Sequence, residues 1–394
     1  MDFTLSQRCT QWREAIRCFI DEVVIPREAA ISVGGVDDAL RIDLQQRAQA
    51  AGIWAPQACV EFGGGGFSFE EAAVLLEEAG RSLLGPLALN CTAPDEGNIH
   101  MLSAIATPEQ KQRYLRPLVA GEVRSCFAMT EPAPGAGSDP AALRTTAAST
   151  GSGWVINGLK HLITGADGAA FAIVMAASPE AGGATMFLVD TSTRGFTITG
   201  HAQTIDTTMV GGHCEVSLDE VHVGRNAVLG EPGRGFAYAQ VRLAPARLTH
   251  CMRWLGAARR AHEVASARSV QREVFGQPLA EHGMAQQMLA DNEIELAAAR
   301  AMLWQTCWGI AQGDRGSESS SRAKVFISEA TSRIVDRSVQ LCGGLGTSEE
   351  MAVGRIYADI RAFRIYDGAS EVHRMAIGKR VARRVRAELA LAQA

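Results

Sequence analysis

The spacing of apolar residues changes twice along the chain, from helical to strand-like and back. In the first third, apolar residues recur every three or four positions, as at Leu5, Trp12 and Ile16. Residues 69–84 repeat this period, and a run of glycines before them indicates a turn. The pattern predicts an N-terminal helical domain, residues 1–124.

One helix start in this domain is specified by local sequence. Thr107 is a typical N-cap, Pro108 suits the first helical position, and Gln110 completes a capping box. Gly121 is the type of residue that ends a helix. We therefore expect a helix between Pro108 and Gly121.

The middle third contains short runs of β-branched and aromatic residues. Gly, Asn and Asp separate these runs, and the dipeptide Asn157-Gly158 is typical of a tight hairpin turn. We predict a small β domain over residues 125–235. Its predicted strands include residues 154–156, 171–175, 185–189 and 196–198.

Helical periodicity returns for the last part of the chain. Four long patterns with short connections suggest a helical bundle over residues 236–394, and a fifth helix is expected near the C-terminus. With 394 residues the chain is long enough for more than one core, and the order helix, strand, helix indicates an α+β protein of three domains. The four helical patterns are residues 247–269, 283–313, 319–342 and 351–366.

Composition narrows the classes of function. The chain has 38 basic and 43 acidic residues, a net charge of -5, which argues against a nucleic-acid binder. Its nine cysteines form no C-x-x-C pair, so reduced thiols are expected and no metal site is predicted. The start is amphipathic, unlike a signal peptide, and no run of 18 apolar residues predicts a membrane span. A cytoplasmic location is the expectation.

Five short motifs follow one another along the chain. Glycines allow backbone N–H groups to approach a phosphate, and an arginine guanidinium can bind a diphosphate with two hydrogen bonds. Each motif alone is weak, because glycine loops and helix C-caps are common. The motifs are Thr130-Glu131-Pro132 with Gly135-Ala136-Gly137-Ser138-Asp139, Asn157-Gly158-Leu159-Lys160-His161-Leu162-Ile163-Thr164, Arg272-Glu273-Val274-Phe275-Gly276, Gln340-Leu341-Cys342-Gly343-Gly344-Leu345-Gly346 and Tyr366-Asp367-Gly368.

Together and in this order, the motifs resemble those of the acyl-CoA dehydrogenase family, over nearly the whole chain. The resemblance implies an N-terminal helical domain, a middle β-barrel-like domain and a C-terminal four-helix bundle. It implies FAD as cofactor and α,β-dehydrogenation of an acyl-CoA thioester to the 2-enoyl-CoA, as in the β-oxidation of fatty acids. Electron-transfer flavoprotein is the implied electron acceptor, and a homodimer or a homotetramer (a dimer of dimers) the implied assembly.

The family pattern also implies roles for individual residues. Thr130 and Thr164 would lie against the flavin ring, Thr164 near its N5 atom, and Ser138 beside the pyrophosphate and the thioester. Leu162 stands where the family usually has a tryptophan that covers the flavin; leucine excludes water but lacks the stacking surface of an indole. Arg272 and Phe275 would reach the FAD of a neighbouring subunit. The implied cofactor-binding residues are Phe127, Met129, Thr130, Ser138, Leu162, Thr164, Arg272, Phe275, Gln340, Gly343, Gly344, Ser370 and Glu371, and the implied substrate contacts are Ser138, Arg247 and Gly368.

Asp367 stands at the position of the family's catalytic base, which is usually a glutamate. It would remove the α-proton while flavin N5 takes the β-hydride, and its own N–H would polarise the thioester carbonyl. Aspartate is one methylene shorter, which retracts its oxygens by about 1 Å. Some branches carry the base one residue before the first arginine of the bundle, but this chain has Ala246 there. We expect a dry pocket to raise the pKa of Asp367 toward neutrality.

The sequence around Asp367, together with residues 247–253, resembles a branch whose base is naturally aspartate. That branch includes dehydrogenase domains that degrade 4-hydroxy acids by way of 4-phosphoacyl-CoA, which suggests a substituted acyl chain. Arg247 is a candidate for a CoA or substrate phosphate. Arg253 is expected on a solvated helix face, and His213 either on the surface of the β domain or at the ligand.

Two alternatives remain open at this point. The first is a flavin oxidase that acts on a small carbon acid such as a nitroalkane, with aspartate as base; oxygen uptake with nitroethane would reveal it. The second is a non-catalytic acyl-CoA-binding paralogue or partner subunit, which would lack flavin or hold flavin that no thioester reduces.

Overall fold

A computed structural model describes residues 4–31, 35–314, 316–348 and 350–393. The N-terminal region is helical. Between its helices lie π-helical turns at Ile20–Val24 and Lys111–Leu115 and 3-10 turns at Ile25–Ala30 and Val60–Phe62. Its helices are α1 (Gln7–Phe19), α2 (Asp38–Ala50), α3 (Phe69–Ala79), α4 (Gly85–Ala88), α5 (Asp95–Ile105), α6 (Pro108–Gln110) and α7 (Arg116–Val119).

The predicted capping box at Thr107 is confirmed. Its hydroxyl accepts a hydrogen bond from the N–H of Gln110 at 3.2 Å, and the Gln110 side chain accepts from the N–H of Thr107 at 3.1 Å. The helix that follows is not continuous, since a π-helical turn separates α6 from α7. Pro117 lacks the N–H that would bond back to Arg113, which accounts for irregular hydrogen bonding there. Gly121 ends the segment with a φ of 75°.

The middle region is one seven-stranded sheet with the order β1-β4-β2-β3-β7-β6, and β5 pairs with β4. Strands β1 and β4 are parallel, whereas β3 pairs antiparallel with both β2 and β7. The predicted strands are all present, and β7 is an additional long one. The strands are β1 (Ser125–Ala128), β2 (Thr146–Ser149), β3 (Gly153–Thr164), β4 (Phe171–Ser178), β5 (Gly183–Asp190), β6 (Phe196–His201) and β7 (His213–Gly224).

The hairpin turn predicted at Asn157-Gly158 is wrong. Both residues lie inside β3, at an irregularity in its pairing with β7. A Cβ atom at position 158 would meet the Thr145 hydroxyl at 2.5 Å, so glycine permits a close approach of two segments. The Asn157 side chain accepts a hydrogen bond from the N–H of Glu220 at 2.8 Å. Long-range pairing with β7 therefore decides the local conformation.

The C-terminal region is a set of packed helices. Helix α8 begins at Gly235, earlier than predicted, and passes through Pro245. The helix predicted over residues 351–366 stops at Ile360, and a 3-10 turn (Arg361–Arg364) follows it. The elements are α8 (Gly235–Gln271), β8 (Glu273–Val274), β9 (Gln277–Pro278), α9 (Gly283–Ala311), α10 (Ser317–Cys342), α11 (Ala352–Ile360) and α12 (Ser370–Gln393).

One hydrophobic core joins the N-terminal helices to α8, α9 and α10, and a second lies within the sheet. The contact between α3 and α8 is close, because a Cβ atom on Gly256 would stand only 2.0 Å from the carbonyl oxygen of Glu77. This packing fixes α8 as the central element on which the functional residues are placed. Within the described ranges, no helix is long and apolar enough to cross a bilayer.

Candidate functional site

Asp367 lies in the irregular turn between α11 and α12, in a backbone conformation with a φ of 53°. Three helices hold this turn. Arg247 of α8 donates to the carbonyl oxygen of Asp367 at 3.0 Å, and Lys324 of α10 donates to that of Gly368 at 2.7 Å. A Cβ atom on Gly368 would lie 2.6 Å from the ring of His373 on α12, so glycine is required there.

The carboxylate of Asp367 is largely enclosed, with its side chain 17% exposed. Its Oδ2 atom is buried and faces Nε2 of His250 at 3.4 Å, a long contact that is the one ion-pair or hydrogen-bond contact made by this atom among the described residues. Nor does any described residue accept a hydrogen bond from the N–H of Asp367. The turn thus presents, on one residue, a carboxylate with one long side-chain contact and a backbone N–H without an acceptor.

The charge on this carboxylate is stabilised by its neighbours. Burial would raise the pKa of Asp367, but a hydrogen bond from His250 and the positive charges of Arg242 and Arg247 outweigh burial and hold the pKa below its usual range. The expectation of a raised pKa is therefore wrong for the protein without bound ligands. Because Asp367 is ionised at neutral pH, it is able to accept a proton.

Arg253 and His250 of α8 form a buried chain with Asp367. Arg253 is 6% exposed and donates to Nδ1 of His250 at 2.9 Å and to the carbonyl oxygen of Cys91 at 2.8 Å. It also lies 3.6 Å from a carboxylate oxygen of Glu96. The predicted solvated position of Arg253 is wrong, because this part of α8 is covered on all sides. His250 and Arg253 are three residues apart in a helix and therefore share a face. This spacing is the feature of the sequence that could have predicted their contact.

Two more buried cations, Arg242 and Lys324, line the same region. Arg242 donates to the side chain of Asn98 at 2.9 Å, and its guanidinium lies 4.3 Å from the ring centre of Phe127. Burial lowers the pKa of Lys324 to about 8. Since Phe127 belongs to β1, this contact connects the sheet with the helix that carries His250.

The end of β1 and the last part of β3 form the sheet side of the site. The N–H of His161 donates to the carbonyl oxygen of Thr130 at 3.0 Å, which joins the two segments. Leu162 is 44% exposed, with a φ of 55° at a bulge in β3. An exposed apolar side chain beside half-buried neighbours suits a flat aromatic ring such as a flavin. Those neighbours are Phe127, Met129, Thr130 and Thr164.

Thr164 is held by a hydrogen-bonded chain of its own. Its hydroxyl lies 2.9 Å from Nδ1 of His213, and Nε2 of His213 lies 2.7 Å from a carboxylate oxygen of Asp206. Burial would raise the pKa of Asp206, yet the contact with His213 lowers it. His213 is thus a half-buried link between Thr164 and Asp206, and a contact of its ring with a ligand stays a prediction.

The glycine-rich segment of residues 132–143 is closed at its base by Glu131. This carboxylate accepts from the N–H groups of Ala136 (3.1 Å), Arg144 (2.7 Å) and Thr145 (2.8 Å) and from Lys160 at 2.9 Å. The tip is open, since Ser138 is exposed and a Cβ atom on Gly137 would meet nothing within 4 Å. The segment has free space for a phosphate-bearing ligand.

The residues expected to reach a neighbouring subunit lie on the surface of the helical region. The ends of α8 and α10 are adjacent, since Arg268 donates to the carbonyl oxygen of Cys342 at 3.4 Å. Phe275, at the tip of the hairpin β8–β9, is 99% exposed. Within the described ranges none of this group contacts the Asp367 turn. The exposed residues are Arg272, Phe275, Gln340, Gly343 and Gly344.

Ser370 and Glu371, at the start of α12, point in different directions. Ser370 is fully buried, with its hydroxyl 3.5 Å from that of Ser328 on α10. Glu371 is exposed. Only Glu371 is open to a ligand in this conformation, and the cofactor role of both residues stays a prediction.

A cleft of about 840 Å³ lies elsewhere, between the 3-10 turn after β7, the neighbouring β3 and the α6 region. It is lined by residues such as Gln110, Arg113, Trp154 and Arg225. None of the predicted site residues contributes to it. We assign the functional site to the Asp367 region because an ionised, enclosed carboxylate and a backbone N–H without an acceptor meet there, among several buried cations.

Three family models match consecutive parts of the chain. They describe the N-terminal domain (residues 6–122), the middle domain (residues 126–221) and the C-terminal domain (residues 233–382) of acyl-CoA dehydrogenases.

Individual proteins agree with these models. A probable acyl-CoA dehydrogenase, FadE2 of Mycobacterium tuberculosis, is 35% identical over 96% of both chains. The structure of a putative acyl-CoA dehydrogenase from Mycobacterium abscessus is similar with a TM-score of 0.89 and 33% identity, over 97% of this chain and 100% of that one. A glutaryl-CoA dehydrogenase from Mycobacterium smegmatis, in complex with FADH2, is similar with a TM-score of 0.85 and 26% identity, over 96% and 95% of the two chains. The chain, with its helical, β and helical regions in the same order, belongs to the acyl-CoA dehydrogenase family.

Proposed function

We propose that this protein is an FAD-dependent oxidoreductase that converts an acyl-CoA thioester to the 2-enoyl-CoA, with Asp367 as the catalytic base. The observation that carries the proposal is the turn at Asp367. It combines an ionised, enclosed carboxylate that is not locked in an ion pair with Arg or Lys and a free backbone N–H on the same residue. Family membership supports the reaction class, and the FADH2 complex of the glutaryl-CoA dehydrogenase supports the cofactor.

The reaction removes two hydrogens from neighbouring carbons. Asp367 accepts the proton from the α-carbon, and its N–H donates to the thioester oxygen, where negative charge develops. Bound FAD supplies the acceptor for the hydride of the β-carbon. The cations Arg242 and Arg247 keep Asp367 deprotonated until the substrate arrives. Enclosure by substrate and cofactor removes the remaining water and increases the basicity of the carboxylate.

Cofactor binding is proposed at the sheet side of the site. Leu162, Thr164, Thr130, Met129 and Phe127 supply an accessible surface for the ring, and the open tip around Ser138 suits the pyrophosphate. We assign Gly368 to the substrate side because it follows the base in the turn, and Arg247 because it donates from α8 to the backbone of Asp367. The proposed domain boundaries remain 1–124, 125–235 and 236–394.

We propose a homodimer or homotetramer in which Arg272, Phe275, Gln340, Gly343 and Gly344 serve the FAD of a second subunit. The nearly complete exposure of the Phe275 ring supports a missing contact partner. A row of exposed apolar residues on α12, Val381, Val385 and Leu389, supports a second contact surface. Light scattering after size-exclusion chromatography tests this assembly, and a monomer that retains FAD would contradict it.

Electron-transfer flavoprotein is the proposed electron acceptor.

The acyl chain of the substrate is proposed to carry a 4-hydroxy or 4-phospho substituent. The test of this substrate class is anaerobic mixing of the purified, FAD-loaded protein with a panel of straight-chain and 4-substituted acyl-CoAs. We expect loss of the flavin absorption band, fastest with a 4-substituted thioester. Faster reduction by unsubstituted thioesters would contradict that substrate class.

The decisive variant is Asp367→Asn, which keeps the shape of the side chain but cannot take a proton. We expect flavin to remain bound and its reduction to slow by about 10³-fold. Asp336→Asn, at an exposed position of α10, is the matched control. A substantial residual rate in Asp367→Asn would refute the role of Asp367 as the catalytic base. In the wild type, oxygen uptake with nitroethane would indicate an oxidase. Flavin that no thioester reduces would indicate a non-catalytic protein.

A further inference from the structure

His250 lies between the base and a fixed cation. On α8 it is three residues after Arg247 and three before Arg253, so all three project to one side of the helix. Its Nε2 atom is 3.4 Å from Oδ2 of Asp367, and its Nδ1 atom is 2.9 Å from Nη2 of Arg253. The ring thus lies between the Asp367 carboxylate, at its Oδ2 atom, and a guanidinium that is already anchored.

The contact with Arg253 determines which ring nitrogen carries the hydrogen. A guanidinium can only donate hydrogen bonds, so Nδ1 of His250 must accept and present its lone pair. A neutral ring in this position therefore carries its hydrogen on Nε2, directed at Asp367. Arg253 is itself held by the carbonyl oxygen of Cys91 and by Glu96, whose carboxylate also accepts from the Thr249 hydroxyl at 2.7 Å.

The surrounding charges keep the ring neutral. Burial lowers the pKa of His250, and the positive charge of Arg253 lowers it further, against the opposing effect of Asp367. Charged or titratable groups face this cluster from four helices: Glu96 from α5, Arg242, Arg247 and Arg253 from α8, Lys324 from α10 and His373 from α12.

Aromatic packing joins the ring to the residue before the base. The ring centres of His250 and Tyr366 are 4.6 Å apart, and the Tyr366 hydroxyl accepts a hydrogen bond from the indole N–H of Trp254. His250 and the backbone of Asp367 therefore rest on one scaffold, and the distance between them is set by packing.

We propose that His250 is the positioning residue of the base: its neutral ring donates from Nε2 to one oxygen of Asp367 and leaves the other for the α-hydrogen. The inference rests on the function proposed for Asp367. In the reaction the α C–H bond breaks, its proton moves to the Asp367 carboxylate, and its electron pair forms the double bond as the β C–H bond breaks; bound FAD would supply the acceptor of that hydride. His250 keeps its own proton throughout, because its only lone pair is engaged by Arg253.

A short carboxylate makes such a contact useful. The oxygens of aspartate stand closer to the backbone than those of glutamate, so a small rotation of the side chain carries them away from the substrate carbon. Fixing one oxygen limits this rotation, and small misplacements of a base have large effects on rate.

The test isolates proton removal from flavin reduction. A 3-thiaacyl-CoA has sulfur in place of the β-carbon, so no hydride can leave, and exchange of its α-hydrogens in D₂O, followed by mass spectrometry, reports the base alone. We compare the FAD-loaded wild type with His250→Phe, which keeps a ring but has no donor, and His250→Gln, whose amide can donate. His222→Phe, at an exposed position of β7, is the control.

We expect exchange in His250→Phe to be slower by about 10- to 100-fold, with unchanged FAD content and thioester affinity, and His250→Gln to recover part of the loss. The exchange rate should fall at low pH as Asp367 becomes protonated. In His250→Phe this acid limb should lie at higher pH, because loss of a hydrogen bond to the ionised carboxylate raises the pKa of Asp367. A merely structural role would not move this limb.

Exchange in His250→Phe at the wild-type rate and with the same pH profile would overturn the inference, as would equal losses in His250→Phe and His250→Gln. If His250→Phe does not fold, His250→Met, a flexible side chain without an N–H, takes its place with the same expectations. Wild-type protein that binds the thioester but catalyses no exchange would refute the proposed function of Asp367 itself, a different outcome from failure of the His250 variants.

Discussion

Two enclosed carboxylates, Glu131 in the sheet region and Asp367 in the helical region, have opposite surroundings. Glu131 accepts three backbone hydrogen bonds and one from Lys160. The buried Oδ2 atom of Asp367 has one long contact, with Nε2 of His250 at 3.4 Å. The first arrangement stabilises the fold, since every acceptor site is used. The second leaves most acceptor positions of the carboxylate unused, which is typical of a reactive group.

The largest effect on folding is expected from Lys160→Met. The substitution leaves the Glu131 charge buried without its counter-ion and should lower the free energy of unfolding by about 3–5 kcal/mol. Urea unfolding followed by circular dichroism measures the loss, with Lys379→Met on exposed α12 as the control. A change as small as that of the control would mean that the pair contributes little, and the contrast with Asp367 would fail.

The next largest effect is expected on stability at acid pH, and it comes from Glu131. Burial would raise the pKa of Glu131, but its contacts with Thr145, Arg144 and Lys160 lower it from 4.5 to about 2. A lowered carboxyl pKa gives stability that is complete above pH 4.5 and lost as the pH falls toward 2. Over this window we expect a loss of about 3 kcal/mol from this group. Glu131→Gln should flatten the dependence of unfolding free energy on pH, whereas Glu61→Gln should leave it unchanged.

Lengthening the reactive carboxylate tests its placement. Asp367→Glu adds one methylene in a turn that α8, α10 and α12 hold rigidly. The base remains but is displaced, so flavin reduction should slow by about 10- to 100-fold while FAD stays bound. Stopped-flow absorbance under anaerobic conditions measures the rate. An unchanged or higher rate would show that the turn adapts to either length.

The smallest effect should be that of Asp367→Asn on folding. The substitution removes a charge that His250, Arg242 and Arg247 stabilise, but it also removes the cost of burying that charge, so the loss in free energy of unfolding should be about 1–2 kcal/mol, below that of Lys160→Met. Urea unfolding of the FAD-free protein is the measurement. A loss as large as that of Lys160→Met would mean that Asp367 mainly supports the fold.

Features set by neighbouring residues were predictable from the sequence. The capping box at Thr107 and the order of helical and strand regions follow from local pattern, and the motif at Asp367 identified the turn that carries the free carboxylate. The hairpin turn at Asn157-Gly158 failed because pairing with the distant β7 overrides the local preference of that dipeptide. Strand β7 was not predicted, although Cys214, Val216 and Leu218 alternate with polar residues at the period of a half-buried strand.

The surroundings of Asp367 were less accessible to sequence reasoning. Its pKa depends on Arg242, Arg247 and His250, which lie more than a hundred positions earlier in the chain, so their combined effect on a buried carboxylate appears only in the fold. Arg253 was misplaced because an arginine in a helix usually faces solvent. In α8 it instead meets α5 and the segment containing Cys91.

The closure of residues 132–143 by Glu131 has a consequence for ligand exchange. A loop whose two ends are tied together samples far fewer shapes than a free segment of equal length. Much of the ordering that a bound dinucleotide would otherwise impose on this loop is therefore complete before binding. Cofactor affinity should then depend on contacts at the tip, and cofactor release on movements of the tip alone.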